Sequence, residues 1–332
     1  MQTEFGAVAS ANQSAQEPMF YALLEHCCEA RNDMKPVAFF SDTRALPGLH
    51  VTIATLLKSL RPGEGGEIAL HIFLDNVSSS ERNLLKATHK RNAQGTELHF
   101  HNFTPSAPTG GNSLHGNNTA YGRLYLPYLL SEYDKCIYLD CDLFVNRSIV
   151  GLFDEFDEQN VLIVDGVGIR SQSLENKLFK EANLDMNGFC FNSGVMGINL
   201  KLWRERDVSR ICNNTAELYK GLFLSADQAL LNTALHDSFK SVGGKWNTHL
   251  YPSSPQISAL DERIYHFVGS PKPWDFLGSR LTSNYELWRT QYIDTAAGNV
   301  WHLKYTSIQR SLRISMQTVR AWQARKATGR LL

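Results

Sequence analysis

Lys135-Cys136-Ile137-Tyr138-Leu139-Asp140-Cys141-Asp142 is the stretch on which the reading of this chain turns. An apolar run, Ile137-Tyr138-Leu139, delivers two aspartates two positions apart. In extended chain residues i and i+2 point the same way, so both carboxylates can face one ion. Hard oxygen ligands of this kind suit Mg²⁺ or Mn²⁺, commonly with substrate phosphates completing the shell. An Asp-x-Asp also arises by chance, and taken alone it reads equally as a solvated strand end.

Working outward, β-rich runs recur at 37–42, 68–75, 97–103, 135–142, 161–165 and 189–200. Helix-like segments fall between them at 49–60, 80–92, 119–132 and 201–220. Ser80, preceded by Ser78 and Ser79, is the N-cap expected ahead of Glu81. Strand–helix alternation of this extent predicts an α/β domain on a largely parallel sheet. Ligands of such sheets bind beyond the carboxyl ends of the strands. Asp42, Asp75, Asp165 and the Asp140/Asp142 pair all stand at such ends, which predicts a charged rim along one sheet edge. The Pro-, Gly-, Ser- and Asn-rich stretch 104–118 reads as a long loop, and loops of that length in compact domains are usually lids or binding loops.

Composition bounds the rest. A 332-residue chain with 43% hydrophobic and 20% charged residues is globular, with a sizeable core. No apolar stretch approaches the roughly 18 residues that span a bilayer. Residues 1–18 lack the charged-then-apolar pattern of a secretory signal. The six cysteines show neither disulfide-framework nor zinc spacing, and the expected compartment is cytoplasmic. Lys+Arg and Asp+Glu both number 33, yet residues 295–332 hold seven basic residues and no acid, which leaves −7 on residues 1–294. An acidic body is joined to a basic tail.

The same stretch belongs to an ordered series: Ala38-Phe39-Phe40-Ser41-Asp42, Ala120-Tyr121-Gly122-Arg123-Leu124, the aspartate pair, Phe191-Asn192-Ser193-Gly194-Val195, Asp227-Gln228, and His266-Phe267-Val268-Gly269-Ser270-Pro271-Lys272-Pro273-Trp274. In order and spacing this series resembles glycosyltransferase family 8, the retaining nucleotide-sugar transferases, and most of all its bacterial lipopolysaccharide galactosyl- and glucosyltransferases. The resemblance implies a GT-A fold, a Rossmann-like nucleotide-binding single domain over 35–275. An N-terminal extension would occupy 1–34 and a basic, helical tail 276–332.

It also implies roles. Asp140, Asp142 and His266 would hold the metal, Mn²⁺ or Mg²⁺. Asp42 would lie against uracil and ribose, with Phe40 adding backbone contacts and His115 in the loop over the donor. Arg123 would reach donor phosphate or sugar hydroxyls. Gly269 and Lys272 match the segment on the diphosphate. Asn192, Ser193, Asp165, Asp227 and Gln228 match positions around the donor sugar, the last three as catalytic candidates. The chemistry is coherent, because UDP departure builds charge on the β-phosphate that a divalent cation and a lysine stabilise without a proton. Gly269 lacks a Cβ, which allows close backbone approach. Gln228 as nucleophile and front-face attack with the phosphate taking the acceptor proton both remain open.

Each residue also has an ordinary reading. His266 in a Tyr-His-Phe run reads as a core histidine, Arg123 as a surface charge, Asp165 as a turn residue before Gly166, and Asp227 as an N-cap. Thr43-Arg44 follow Asp42 where the family often carries a polar or acidic residue. The donor is thus expected to be UDP-galactose or UDP-glucose, and the acceptor a glycan or glycolipid such as a lipopolysaccharide core. Segments after Gly166 and Gly243 are expected on the acceptor side. The alternatives are a non-catalytic nucleotide-sugar-binding protein and a metal-dependent nucleotidyltransferase.

In the tail, Ile308, Leu312, Met316, Val319 and Trp322 fall within one arc at helical spacing, with Arg310, Arg313 and Arg320 opposite. A basic amphipathic helix of this kind reads as peripheral attachment to an anionic membrane surface at its inner face, or as a helix packed on the domain. No nucleic-acid motif accompanies the charges.

Overall fold

The computed structural model describes residues 33–111 and 118–300. His115 and the tail helix expected over 308–322 lie outside the described residues. Among the described residues the strands are β1 (Lys35–Asp42), β2 (Ile68–Asp75), β3 (Glu97–Asn102), β4 (Lys135–Leu139), β5 (Leu143–Val145) and β6 (Leu162–Val164), followed by β7 (Val167–Ile169), β8 (Phe189–Phe191), β9 (Val195–Asn199), β10 (Phe239–Ser241), β11 (Thr248–His249) and β12 (Ile264–His266).

β1 and β2, reading KPVAFFSD and IALHIFLD, are buried except at their ends. Such near-continuous apolar runs are required where helices cover both faces of a parallel sheet. The two strands pair in parallel from Lys35↔Ile68 to Asp42↔Asp75, and β3 adds to the outside of β2 in the same sense. The crossovers are the helices Leu46–Ser59, with Pro47 in its first turn, and Ser79–Arg91. The second is capped by Ser78, not Ser80. Ser78 and Glu81 stand three apart and satisfy each other's amides in a capping box, a spacing Ser80 does not have.

The chain then returns to the opposite side of β1, where β4 pairs in parallel. The main sheet has the order β10-β6-β9-β4-β1-β2-β3, with β9 antiparallel to both of its neighbours. A switch point therefore lies between β1 and β4, where open α/β sheets bind ligands. A three-stranded sheet, β11-β12-β5, stands beside it.

Three expected elements are interrupted. The run 189–200 breaks into β8 and β9 because the Asn192 side chain accepts from Gly194 N–H at 3.0 Å and closes a turn. The helix over 201–220 divides into Leu200–Glu205 and Val208–Leu218 at Asp207, whose φ is +50°. The segment 119–132 forms a 3₁₀ turn, Thr119–Tyr125, then Leu126–Leu129, where Pro127 has no N–H to carry the ladder through.

Alternation along β1 sends Ala38 and Phe40 into one core and Val37 and Phe39 into the other. A third cluster joins Val51 and Phe144 to Trp274, Trp288 and Tyr292. Packing thus continues past residue 275, through the helix Tyr285–Asp294. No described helix is long and apolar enough to cross a membrane.

Candidate active site at the sheet switch point

β4 ends at Leu139, and Asp140 N–H donates to Gly194 O at 2.8 Å. Asp140 and Asp142 therefore sit in a turn beyond the strand, not on its pleat as the spacing had suggested. What unites them is the second sheet. β12 pairs antiparallel with β5, His266 opposite Leu143, and Phe267 N–H donates to Asp142 O at 3.0 Å. One ligand atom from each of Asp140, Asp142 and His266 lies within 4.8 Å of the others.

His266 Nε2 stands 3.1 Å from Asp142 Oδ1 and 3.8 Å from Asp140 Oδ2. The other Asp140 oxygen is already engaged, accepting from Tyr138 Oη at 2.6 Å and Arg123 Nη2 at 3.0 Å. Asp142 Oδ1 is buried and receives no hydrogen bond. Gly194 keeps the space open, since a Cβ there would come within 2.3 Å of His266 Cε1 and 2.8 Å of Asp140 Oδ2. Two carboxylate oxygens, one of them the orphaned buried acceptor, and one imidazole nitrogen make a donor set that fits Mn²⁺ or Mg²⁺. Burial disfavours the charged Asp142, but Lys272 and His266 beside it hold the carboxyl well below the usual range. Lys272 Nζ donates to Asp142 Oδ2 and to Phe267 O.

Around this centre the structure sorts the sequence candidates. Arg123 is 3% exposed, and its donors go to Ala120 O, Ser193 O, Tyr138 Oη, Asp140 and Asp227. It is a buried hub joining two carboxylates, not a surface charge. Asp227 lies in the first turn of the helix Ala226–Ala234 without capping it. Its Oδ2 meets Arg123 Nε at 3.1 Å and accepts from Ser193 Oγ at 3.1 Å. Burial pushes its carboxyl up to about 6 against the pull of Arg123. Asn192 Nδ2 donates to Gln228 Oε1 at 2.8 Å, so Asn192, Ser193, Asp227 and Gln228 form one connected floor.

Asp165 is buried, with Oδ2 accepting from Trp246 N at 2.6 Å and Asn247 N at 3.2 Å, and Oδ1 from Gly166 N at 2.6 Å. Its carboxylate is committed to backbone. Asp42 lies at the switch point, where its oxygens accept from Arg44 N–H, Arg44 Nε and Ala45 N–H. Arg44 therefore folds back on Asp42. Phe40 stacks on Phe73 at 4.6 Å, and its carbonyl accepts from Cys141 Sγ. Gly269 has φ +82°, and a Cβ there would meet no atom nearer than 3.8 Å. Conformation alone thus calls for glycine there in this structure.

Sequence reasoning passed over Asn247 and Glu175. Asn247, 3% exposed, contacts His266 Nδ1 at 2.9 Å and Asn192 Oδ1 at 2.9 Å. Glu175 accepts from Leu224 N, Ser225 N and Ser225 Oγ, bracing the turn that leads to Asp227 and Gln228. Neither stands in a strand-end or paired-acid pattern; a Trp-Asn pair after Gly243-Gly244 was the available signal.

The family model described as Glycosyl transferase family 8 matches residues 36–278, a span that holds every one of these groups. The chain belongs to glycosyl transferase family 8. Among curated proteins it is 30% identical over 181 residues to General stress protein A of Bacillus subtilis, covering 49% of this chain and 61% of that one. It is 26% identical over 263 residues to the Lipopolysaccharide glucosyltransferase WaaO of Escherichia coli, covering 75% of each. With the Lipopolysaccharide 1,3-galactosyltransferase of Salmonella typhimurium the identity is 26% over 289 residues, covering 82% of this chain and 81% of that one. The chain thus spans less than two thirds of General stress protein A, and it spans 20% of Glycosyltransferase GlyD of Streptococcus pneumoniae. The galactosyltransferase LgtC, solved with donor and acceptor sugar analogs, superposes with a TM-score of 0.65 at 22% identity over 78% of this chain and 96% of that one. The expected GT-A fold is therefore present.

Proposed function

We propose that this family 8 chain is a metal-dependent retaining hexosyltransferase, moving galactose or glucose from a UDP-sugar to a glycan or lipid-linked acceptor. The observation that carries the reading is the half-buried Asp140/Asp142 pair meeting the buried His266, with Lys272 beside them at the switch point. Asp140, Asp142 and His266 would hold Mn²⁺ or Mg²⁺, which when bound supplies Lewis-acid stabilisation of the diphosphate.

The protein groups divide the remaining work. Lys272 serves as counter-charge for the departing β-phosphate. Asn192, Ser193, Asp227 and Gln228 offer amides, a hydroxyl and a carboxylate to a sugar whose anomeric carbon becomes oxocarbenium-like. Gln228 Oε1 already accepts from Asn192 Nδ2 and Ser193 N–H, which makes a poor nucleophile poorer. That supports front-face attack: the acceptor oxygen bonds to the anomeric carbon and the bond to phosphate breaks. Its electrons pass to the β-phosphate oxygen, which takes the acceptor's proton.

Toward the acceptor, the hairpin after Gly166 exposes Ile169 and Phe189. The segment from Gly243 lines a polar cavity of about 530 Å³ with Arg147, Lys245 and Arg263. The lipopolysaccharide transferases among the relatives make a lipopolysaccharide core oligosaccharide the acceptor to try first. Purified protein with Mn²⁺, that core and each UDP-hexose should give a new glycoside of α configuration by NMR. Donor binding without sugar release in any mixture would leave a nucleotide-sugar-binding protein instead.

A further inference from the structure

We infer that Asn247 is a positioning residue for His266: its side-chain carbonyl accepts from Nδ1–H and so presents Nε2, not Nδ1, toward Asp140 and Asp142. The inference rests on the metal reading above and extends it to a residue outside the ligand set.

The orientation of the Asn247 amide follows from a backbone donor. Gly194 N–H is a donor only, and it meets an Asn192 side-chain atom at 3.0 Å, so that atom is the carbonyl oxygen. The same oxygen faces the Asn247 amide at 2.9 Å, so Asn247 turns its NH₂ group there. The remaining Asn247 atom, 2.9 Å from His266 Nδ1, is then the carbonyl oxygen. An oxygen acceptor demands a proton on Nδ1, so a neutral ring that binds a cation does so through Nε2.

Nε2 stands 3.1 Å from Asp142 Oδ1 and 3.8 Å from Asp140 Oδ2. A histidine that ligates through one nitrogen generally donates its other N–H to a carbonyl or carboxylate, and removing that partner costs 10–100-fold in metal affinity. Asn247 is itself fixed, because its backbone N–H is held by Asp165 at 3.2 Å and its side chain is buried. Asp165 thus acts on the centre through Asn247, and Asn192 links the same amide to Gln228.

The test uses the full chain and two variants. Asn247→Leu keeps the volume and removes the acceptor; Asn247→Asp keeps an acceptor facing Nδ1. His266 is assigned in two-bond ¹H–¹⁵N spectra of metal-free protein at a pH high enough to give a neutral ring, and Mn²⁺ binding is measured by calorimetry. Wild type should show the Nδ1–H tautomer. Asn247→Leu should gain the Nε2–H form and bind Mn²⁺ about 10–100-fold more weakly. Asn247→Asp should keep the wild-type tautomer and bind Mn²⁺ within a few-fold of wild type, a comparison that stands even where the leucine variant does not fold. A folded Asn247→Leu protein with the wild-type tautomer and wild-type affinity overturns the inference, as does a folded Asn247→Asp protein that loses the tautomer. If wild type takes up no Mn²⁺, the metal reading fails, while the tautomer spectra still decide the role of Asn247.

Discussion

Arg123 Nε lies 3.1 Å from Asp227 Oδ2, and both side chains are almost wholly buried. The pair is a structural joint between two parts of the chain, since the same guanidinium also binds Asp140 and Ser193. Removing the cation alone leaves two carboxylates facing each other. Arg123→Met should therefore destabilise the protein by about 3–5 kcal/mol, the usual result of breaking a buried pair from one side. The double variant Arg123→Met/Asp227→Leu should recover part of that loss. Urea unfolding of the two proteins checks both statements.

Lys272 has a different task. Its ammonium bonds Asp142 and Phe267 O, and neither contact holds the fold together as Arg123 does. Lys272→Ala should lower the rate of UDP-hexose turnover by about 10²–10³-fold, the range seen when one donor to a developing oxyanion is deleted. Calorimetric Mn²⁺ affinity should not fall. Rapid-quench measurement of UDP release separates the two effects.

His50 sets a pH dependence. Burial pushes its imidazole down to about 3 from an ordinary 6.5, and Nδ1 bonds Thr88 Oγ1 at 2.8 Å between the two crossover helices. Between those values the unfolded chain binds a proton that the folded one refuses, so stability rises with pH across the window and falls as pH drops below 6.5. The slope from this group is at most about 1.4 kcal/mol per pH unit. Denaturation midpoints from pH 4 to 7 should fall less steeply with acid in His50→Gln than in wild type.

The basic tail makes a separable contribution. Residues 295–332 carry seven positive charges and no acid, beyond the span that matches the family. Deleting 308–332 should spare donor hydrolysis and weaken sedimentation with vesicles containing anionic lipid. Unchanged vesicle binding would place the charges elsewhere in the account.

Legibility in the sequence followed the range over which each residue acts. β1 and β2 were readable because a strand covered on both faces is apolar along most of its length, as KPVAFFSD and IALHIFLD are between their ends. Asp140, Asp142 and His266 were singled out through the ordered series they belong to, and the fold brings a ligand atom of each within 4.8 Å of the others. The break at Asn192–Gly194 was hidden because a side-chain turn does not interrupt an apolar pattern. Asn247 and Glu175 were hidden for another reason. Each works through side-chain hydrogen bonds to residues 19 to 55 positions away, and an amide or a carboxylate at such a site has no periodic neighbour to betray it. Asp165 stood out at a strand end, but the backbone amides that its carboxylate accepts from are supplied only by the fold.

The central claim is that Asp140, Asp142 and His266 act as one metal site serving UDP-sugar chemistry. The most direct test measures UDP release from UDP-glucose and UDP-galactose by protein stripped with EDTA and then titrated with Mn²⁺. Wild type should release UDP from at least one donor only as Mn²⁺ is restored, and Asp142→Asn should stay inactive across the titration. Equal turnover in EDTA and in Mn²⁺, or an Asp142→Asn protein as active as wild type, would contradict it.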